Sequence, residues 1–160
     1  MTINIGDKIP AIELAIMGAD GPLSINTNVI FSGKKVLLFA LPGAFTPTCS
    51  AAHLPGYLTL HDEIKAKGVD TIACLAVNDA YVMGAWGQAQ NVGDKVLMLG
   101  DGNVDFTRAV GLTIDRTTSN MGIRSQRYAM IVEDGIITHL NIEVAPRFEV
   151  SDAQSMLKLL

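Results

Sequence analysis

Val36-Leu37-Leu38-Phe39-Ala40-Leu41-Pro42-Gly43-Ala44-Phe45-Thr46-Pro47-Thr48-Cys49-Ser50-Ala51-Ala52-His53-Leu54-Pro55-Gly56 decides how the rest of this chain is read. Its first five residues are an unbroken apolar run of strand length, as expected for a strand covered on both faces. A loop rich in proline and glycine turns the chain, and a helical pattern follows to Lys67, with Gly68 as its stop. Cys49 therefore sits where the helix begins. The first helical turn leaves backbone N–H groups unpartnered and carries partial positive charge. A thiolate is favoured there over the thiol and is placed to attack an electrophile.

The neighbours suit that use. Thr46 lies three residues before Cys49, within reach of the sulfur or of an oxygen bound to it. Pro42 and Pro47 fix φ and remove donors, which stiffens the loop. Gly43 is expected to supply backbone freedom. Pro55 cannot bond the carbonyl of Ala51, so the first helical turns should be kinked or held separately. His53, four residues after Cys49, shares its helical face.

Outward from this stretch, Ile9 to Met17 and Leu23 to Asn26 flank the turn Gly18-Ala19-Asp20-Gly21-Pro22 and read as an N-terminal hairpin. Asn28 to Ser32 reads as one helical turn. Val69 to Val77 is a central strand with Ile72, Cys74 and Ala76 on one face and Ala73, Leu75 and Val77 on the other. Asn78 or Asp79 caps a helix over Ala80 to Gln90. Val96 to Leu99 is a strand and Val104 to Val110 a short helix. Leu112 to Ser125 reads as the longest loop. Arg127 to Glu133 and Ile136 to Glu143 make a hairpin around Asp134-Gly135. Ser151 with Gln154 suggests a capping box opening the last helix.

This order of elements predicts an α/β protein: a three-layer thioredoxin-like sandwich with a mixed central sheet and an N-terminal hairpin extension, one domain over residues 1–160. Residues are 49% hydrophobic and 18% charged, the balance of a compact core. A net charge of -4 argues against nucleic acid or an anionic membrane as partner. The opening residues lack a secretory-signal pattern, and two cysteines suit a reducing compartment, so a cytoplasmic location is expected.

Pro42, Thr46 and Cys49 match a P-x-x-x-T-x-x-C signature. With His53-Leu54-Pro55-Gly56, Ala73 to Asp79, Ala85-Trp86-Gly87, Gly122 to Ser125 and Arg127-Tyr128, the chain resembles the peroxiredoxins, and within them the type II (five-type) subfamily. The resemblance implies a thiol-dependent peroxidase for hydrogen peroxide and alkyl hydroperoxides. It makes Cys49 the peroxidatic cysteine, Thr46 an orienting hydroxyl and Arg127 the catalytic cation, with Arg124 as runner-up. Pro42, Gly43 and His53 are supporting residues. Some type II enzymes carry a resolving cysteine near the C-terminus, where this chain has Phe148-Glu149-Val150-Ser151-Asp152. Cys74 is the other candidate resolver, but its mid-strand place favours a buried structural role. A one-cysteine cycle completed by glutaredoxin with glutathione, or by thioredoxin, is expected, with no cofactor. His53, His61, His139 and the cysteines lack metal-site spacing. The family's habit suggests a homodimer using Phe45, Ala80 and Trp86.

The competing readings are a cysteine hydrolase with His53 as base, a glutathione transferase, and a non-catalytic thioredoxin-like binding or chaperone module. The transferase would need a further helical domain. The binding module would need neither Thr46 nor Arg127.

Overall fold

The apolar run becomes β3 (Lys35–Leu41), in which every residue from Val36 to Leu41 is fully buried. A computed structural model describes residues 1–160 and sets β3 near the middle of a seven-stranded sheet. Parallel to β3 runs β4 (Thr71–Ala76), and beyond it β5 (Leu97–Gly100), also parallel. On the other side β8 (Tyr128–Glu133) and β9 (Ile136–Ile142) pair antiparallel. The N-terminal hairpin, β1 (Glu13–Gly18) and β2 (Gly21–Asn26), completes the order β2-β1-β5-β4-β3-β8-β9.

Strand alternation divides the interior into two cores of nearly equal size, 19 and 18 buried residues, so both faces of the sheet are covered. Ile72, Cys74 and Ala76 enter the core that holds Cys49, whereas Ala73 and Leu75 enter the other. The first core is closed by α2 (Leu54–Thr59), α3 (His61–Ala66), α4 (Ala80–Ala89) and α6 (Ala153–Leu157). The second is closed by α1 (Thr27–Phe31) and α5 (Asp105–Ala109). The expected three-layer thioredoxin-like arrangement is what the chain adopts.

Three local expectations need correction. The helical pattern to Lys67 is not continuous: α2 and α3 are separated at Leu60 (φ -94°, ψ 9°), while the disturbed start expected from Pro55 takes the form of a π-turn over Cys49–His53. Pro55 has no N–H, and the wide turn instead sends Leu54 N to Cys49 O, five residues back. The segment Leu112 to Ser125 is not a plain loop: β6 (Thr113–Asp115) pairs antiparallel with β7 (Ile123–Ser125), joined through a 3₁₀ turn at Thr117–Ser119. Strands of three residues are too short to show an alternation in sequence. The last helix is capped by Asp152, which accepts from Ser155 N, and not by Ser151, whose hydroxyl is committed elsewhere.

Candidate active site

The π-turn opens on Cys49 and ends on His53, and both side chains are fully buried. Between them stands Arg127, the residue before β8. Its Nη2 donates to Cys49 Sγ at 3.3 Å and its Nη1 lies 2.9 Å from His53 Nδ1. His53 Nε2 lies 3.0 Å from the carbonyl of Ser151, which also accepts from the Tyr57 hydroxyl at 2.6 Å. A carbonyl only accepts, so Nε2 carries the imidazole proton and Nδ1 is free to accept from Arg127. Burial, reinforced by the Arg127 charge, pushes the His53 pKa down to about 3. His53 is therefore a neutral acceptor at ordinary pH, and it directs one arm of the guanidinium while the other meets the sulfur.

Further contacts fix the same group. The Arg127 guanidinium lies over the Phe148 ring at 5.7 Å, and Phe148 in turn packs on His53 at 4.9 Å. Phe39 stacks on Tyr57 at 4.0 Å and tilts against His53 at 5.0 Å. Glu143, at the end of β9, accepts from the backbone N–H groups of Glu149, Val150 and Ser151 and from the Ser151 hydroxyl. This holds the Ser151 carbonyl where His53 and Tyr57 both reach it.

The loop before Cys49 is pinned at several points. Thr46 Oγ1 donates to Gly43 O at 2.7 Å, so its one proton is committed within the loop. Ala44 N donates to Asn78 Oδ1 at 2.9 Å. The helix cap beside it is Asp79, which accepts from Val82 N. Arg124 donates from Nε to Met121 O and from Nη1 to Pro42 O at 3.3 Å, so it braces the loop and does not bond the sulfur. Gly43 is needed for space and not for a left-handed φ. A Cβ there would lie 2.9 Å from Arg124 Nη1 and 3.4 Å from Thr46 Cγ2. The positive φ in this loop belongs to Phe45, at 63°. Trp86 Nε1 donates to Ser50 Oγ at 3.0 Å and ties α4 to the π-turn.

Residues 4–157 match the family described as Redoxin. The chain is 48% identical to a chloroplastic peroxiredoxin-2E-2 of Oryza sativa over 99% of its own length and 73% of that protein's. It is 39% identical to peroxiredoxin-2D of Arabidopsis thaliana, covering 99% and 98% of the two chains. The structure superposes on reduced Prx3 of Vibrio vulnificus in complex with H2O2 with a TM-score of 0.95, at 51% identity and 99% coverage of both chains. This chain belongs to the peroxiredoxin family. It is a type II peroxiredoxin with a thioredoxin-like fold, and it is a thiol-dependent peroxidase.

Set against the sequence, the peroxiredoxin site draws together Cys49, His53 and Arg127, with Pro42, Gly43 and Thr46 in the adjoining loop. Cys74 lies in the same core on β4, as fully buried as Cys49, and burial, with Cys49 nearby, pushes its thiol well above the usual range. Both cysteines are free. Ala80 and Trp86, expected at a dimer face, are buried within the chain, whereas Phe45 and Tyr81 are exposed. Sequence reading missed Tyr57, Glu143, Phe148 and Ser151. Only Tyr57 carried a signal, four residues beyond His53 on a helical segment. The other three meet His53 or one another through tertiary packing alone.

Proposed function

We propose that Cys49 is the peroxidatic thiol of this peroxiredoxin and that an external thiol regenerates it. The observation that carries this reading is the Arg127 fork, with one arm on Cys49 Sγ at 3.3 Å and the other held by neutral His53. A fixed positive charge donating beside the sulfur is placed to meet the charge that builds on the peroxide oxygens. Cys49 thiolate attacks the terminal oxygen of a hydroperoxide, the S–O bond forms and the O–O bond breaks. The departing oxygen leaves with the electron pair and takes up a proton, giving water or an alcohol, and Cys49 becomes a sulfenic acid. Because the Thr46 proton goes to Gly43 O, its lone pairs remain to accept from the O–H of the incoming hydroperoxide and orient it.

The sulfenic acid then condenses with an external thiol, releasing water and leaving a mixed disulfide that a second thiol cleaves. The place of Cys74 in the middle of β4 and its raised pKa support a one-cysteine cycle, with glutaredoxin and glutathione, or thioredoxin, as the source of that thiol. Hydrogen peroxide and small alkyl hydroperoxides are the substrates, in keeping with the related Prx3 that was solved with H2O2. A homodimer through the surface carrying Phe45 and Tyr81 and a cytoplasmic location complete the reading.

Replacing Cys49 with Ser abolishes peroxide consumption on this account. A Cys49→Ser protein that still turned over would refute it. Phe45→Asp converts the dimer to monomer in sedimentation. A wild-type protein that sediments as a monomer at micromolar concentration would end the dimer proposal alone.

A further inference from the structure

Beside Arg127 opens a cavity of about 200 Å³, walled by Pro42, Thr48, Ile114, Ala145 and Pro146 and by the polar side chains of Arg116, Gln126, Arg127, Glu143 and Arg147. Three of the five arginines of a chain with net charge -4 meet here. None of the three is in an ion pair: the salt bridges of the protein are Lys35–Glu133 and His61–Asp62. Arg116 Nε is buried and has no hydrogen-bond partner. The one acid in the wall, Glu143, spends its oxygens on three backbone N–H groups and a hydroxyl and makes no ion pair with these arginines, whose three charges outnumber its one. Guanidinium groups without a carboxylate partner around a small cavity suit a planar, bidentate anion. Pro42, Ile114, Ala145 and Pro146 give the same cavity an apolar wall that a short carbon chain can meet.

We propose that this cavity selects hydroperoxides that carry a carboxylate, with Arg116 and Arg147 holding the carboxylate while Arg127 receives the peroxide end. The inference rests on the peroxidase role of Cys49 and names a substrate class for it. A hydroperoxy acid is favoured over a carboxylate-bearing thiol because Arg127, the cation that donates to Cys49 Sγ, itself lines the cavity. The volume admits a short chain and not a folded partner. The step balances as for any hydroperoxide. Sulfur loses two electrons, the O–O bond breaks, and the alkoxide takes a proton from water to leave a hydroxy acid.

The test is single-turnover oxidation of Cys49, followed by intact mass, with tert-pentyl hydroperoxide and its carboxylate analogue 4-hydroperoxy-4-methylpentanoate. Wild type should react about tenfold faster with the carboxylate, as one partly solvated charge-assisted contact allows. That advantage should shrink as NaCl rises to about 0.5 M. The Arg116→Gln/Arg147→Gln double variant should lose it while keeping the wild-type rate with tert-pentyl hydroperoxide, which also shows that it is folded. Arg108→Gln, which removes the charge of an exposed arginine on α5 that does not line the cavity, should keep the advantage. Equal rates for the two oxidants in wild type, or an advantage that survives in the double variant, would overturn the proposal and leave the peroxidase assignment standing. Failure of both oxidants to modify Cys49 would overturn both.

Discussion

Arg127 reaches Cys49 Sγ with one arm of its guanidinium while the other meets His53, and a single-residue test separates holding from charge. Arg127→Ala should slow Cys49 oxidation by about a hundredfold or more, as loss of a donor aimed at developing negative charge does. Its Tm should fall by only a few degrees. Arg127→Lys should recover little of that rate, because an ammonium is a point charge and does not span Cys49 Sγ and His53 Nδ1 together. Stopped-flow oxidation by H2O2, with a melting curve for each variant, checks both statements, and a full-rate Arg127→Ala would move the role to Arg124. His53 makes a separate claim about acid. Its folded pKa, near 3, lies below the ordinary value of 6.5, so between those values the unfolded chain binds a proton that the folded chain refuses. Stability falls as pH drops from about 6.5 toward 3, and this contribution is unaffected above 6.5. His53→Gln should remove that part of the slope, narrowing the Tm gap to wild type as pH is lowered. A gap that stays constant from pH 7 to pH 4 would contradict the neutral-histidine assignment.

The elements around the site were legible in the sequence to differing degrees, for physical reasons. The strand-loop-cysteine order of Val36 to Cys49 was readable because an apolar run ending in Pro42-Gly43 admits few structures. Pro55 announced a disturbed helix start, and the disturbance is the π-turn. The type of turn was not readable, since a missing N–H shows only that a regular bond is lost. The capping of α6 was misread by one residue because Ser151 and Asp152 are both good cap formers, and the buried carboxylate that claims the Ser151 hydroxyl lies eight residues away. That carboxylate carries a prediction at this scale. Burial of Glu143 acts to raise its pKa, but donors from Glu149, Ser151 and Val150 outweigh it and hold the group below its ordinary 4.5. Its contribution is therefore present above about pH 4.5 and is lost as pH falls through the lower folded value. Glu143→Gln should cost about 1–3 kcal/mol at pH 7. The difference should vanish in acid when Tm is followed downward from pH 5, and a cost that persisted undiminished at the lowest pH would refute the charge argument.

Across the molecule, the two cores follow from central strands, β3 and β4, that are apolar on both faces, which is why the layer arrangement could be read in advance and the three-residue pair β6-β7 could not. The N-terminus is stapled to the far side of the sheet: Ile3 N donates to Val110 O at 2.9 Å, and Gly111 turns with φ 72° directly against Met1. A Cβ at Gly111 would sit 2.3 Å from Met1 O. Gly111→Ala should therefore combine a left-handed φ with a backbone clash and cost about 1–3 kcal/mol, lowering Tm by several degrees while leaving the rate of Cys49 oxidation unchanged. A loss of peroxide reactivity in that variant would show that the two cores are not independent. The measurement that bears most directly on the whole account is intact mass after one equivalent of H2O2, with and without a sulfenic-acid trap, on wild type, Cys49→Ser and Cys74→Ser. The account predicts one added oxygen that the trap captures, in wild type and Cys74→Ser alike, and no change in Cys49→Ser. Loss of two hydrogens in wild type, abolished in Cys74→Ser, would make Cys74 a resolving thiol and contradict the one-cysteine cycle, and an oxygen gained equally by Cys49→Ser would remove Cys49 from the chemistry altogether.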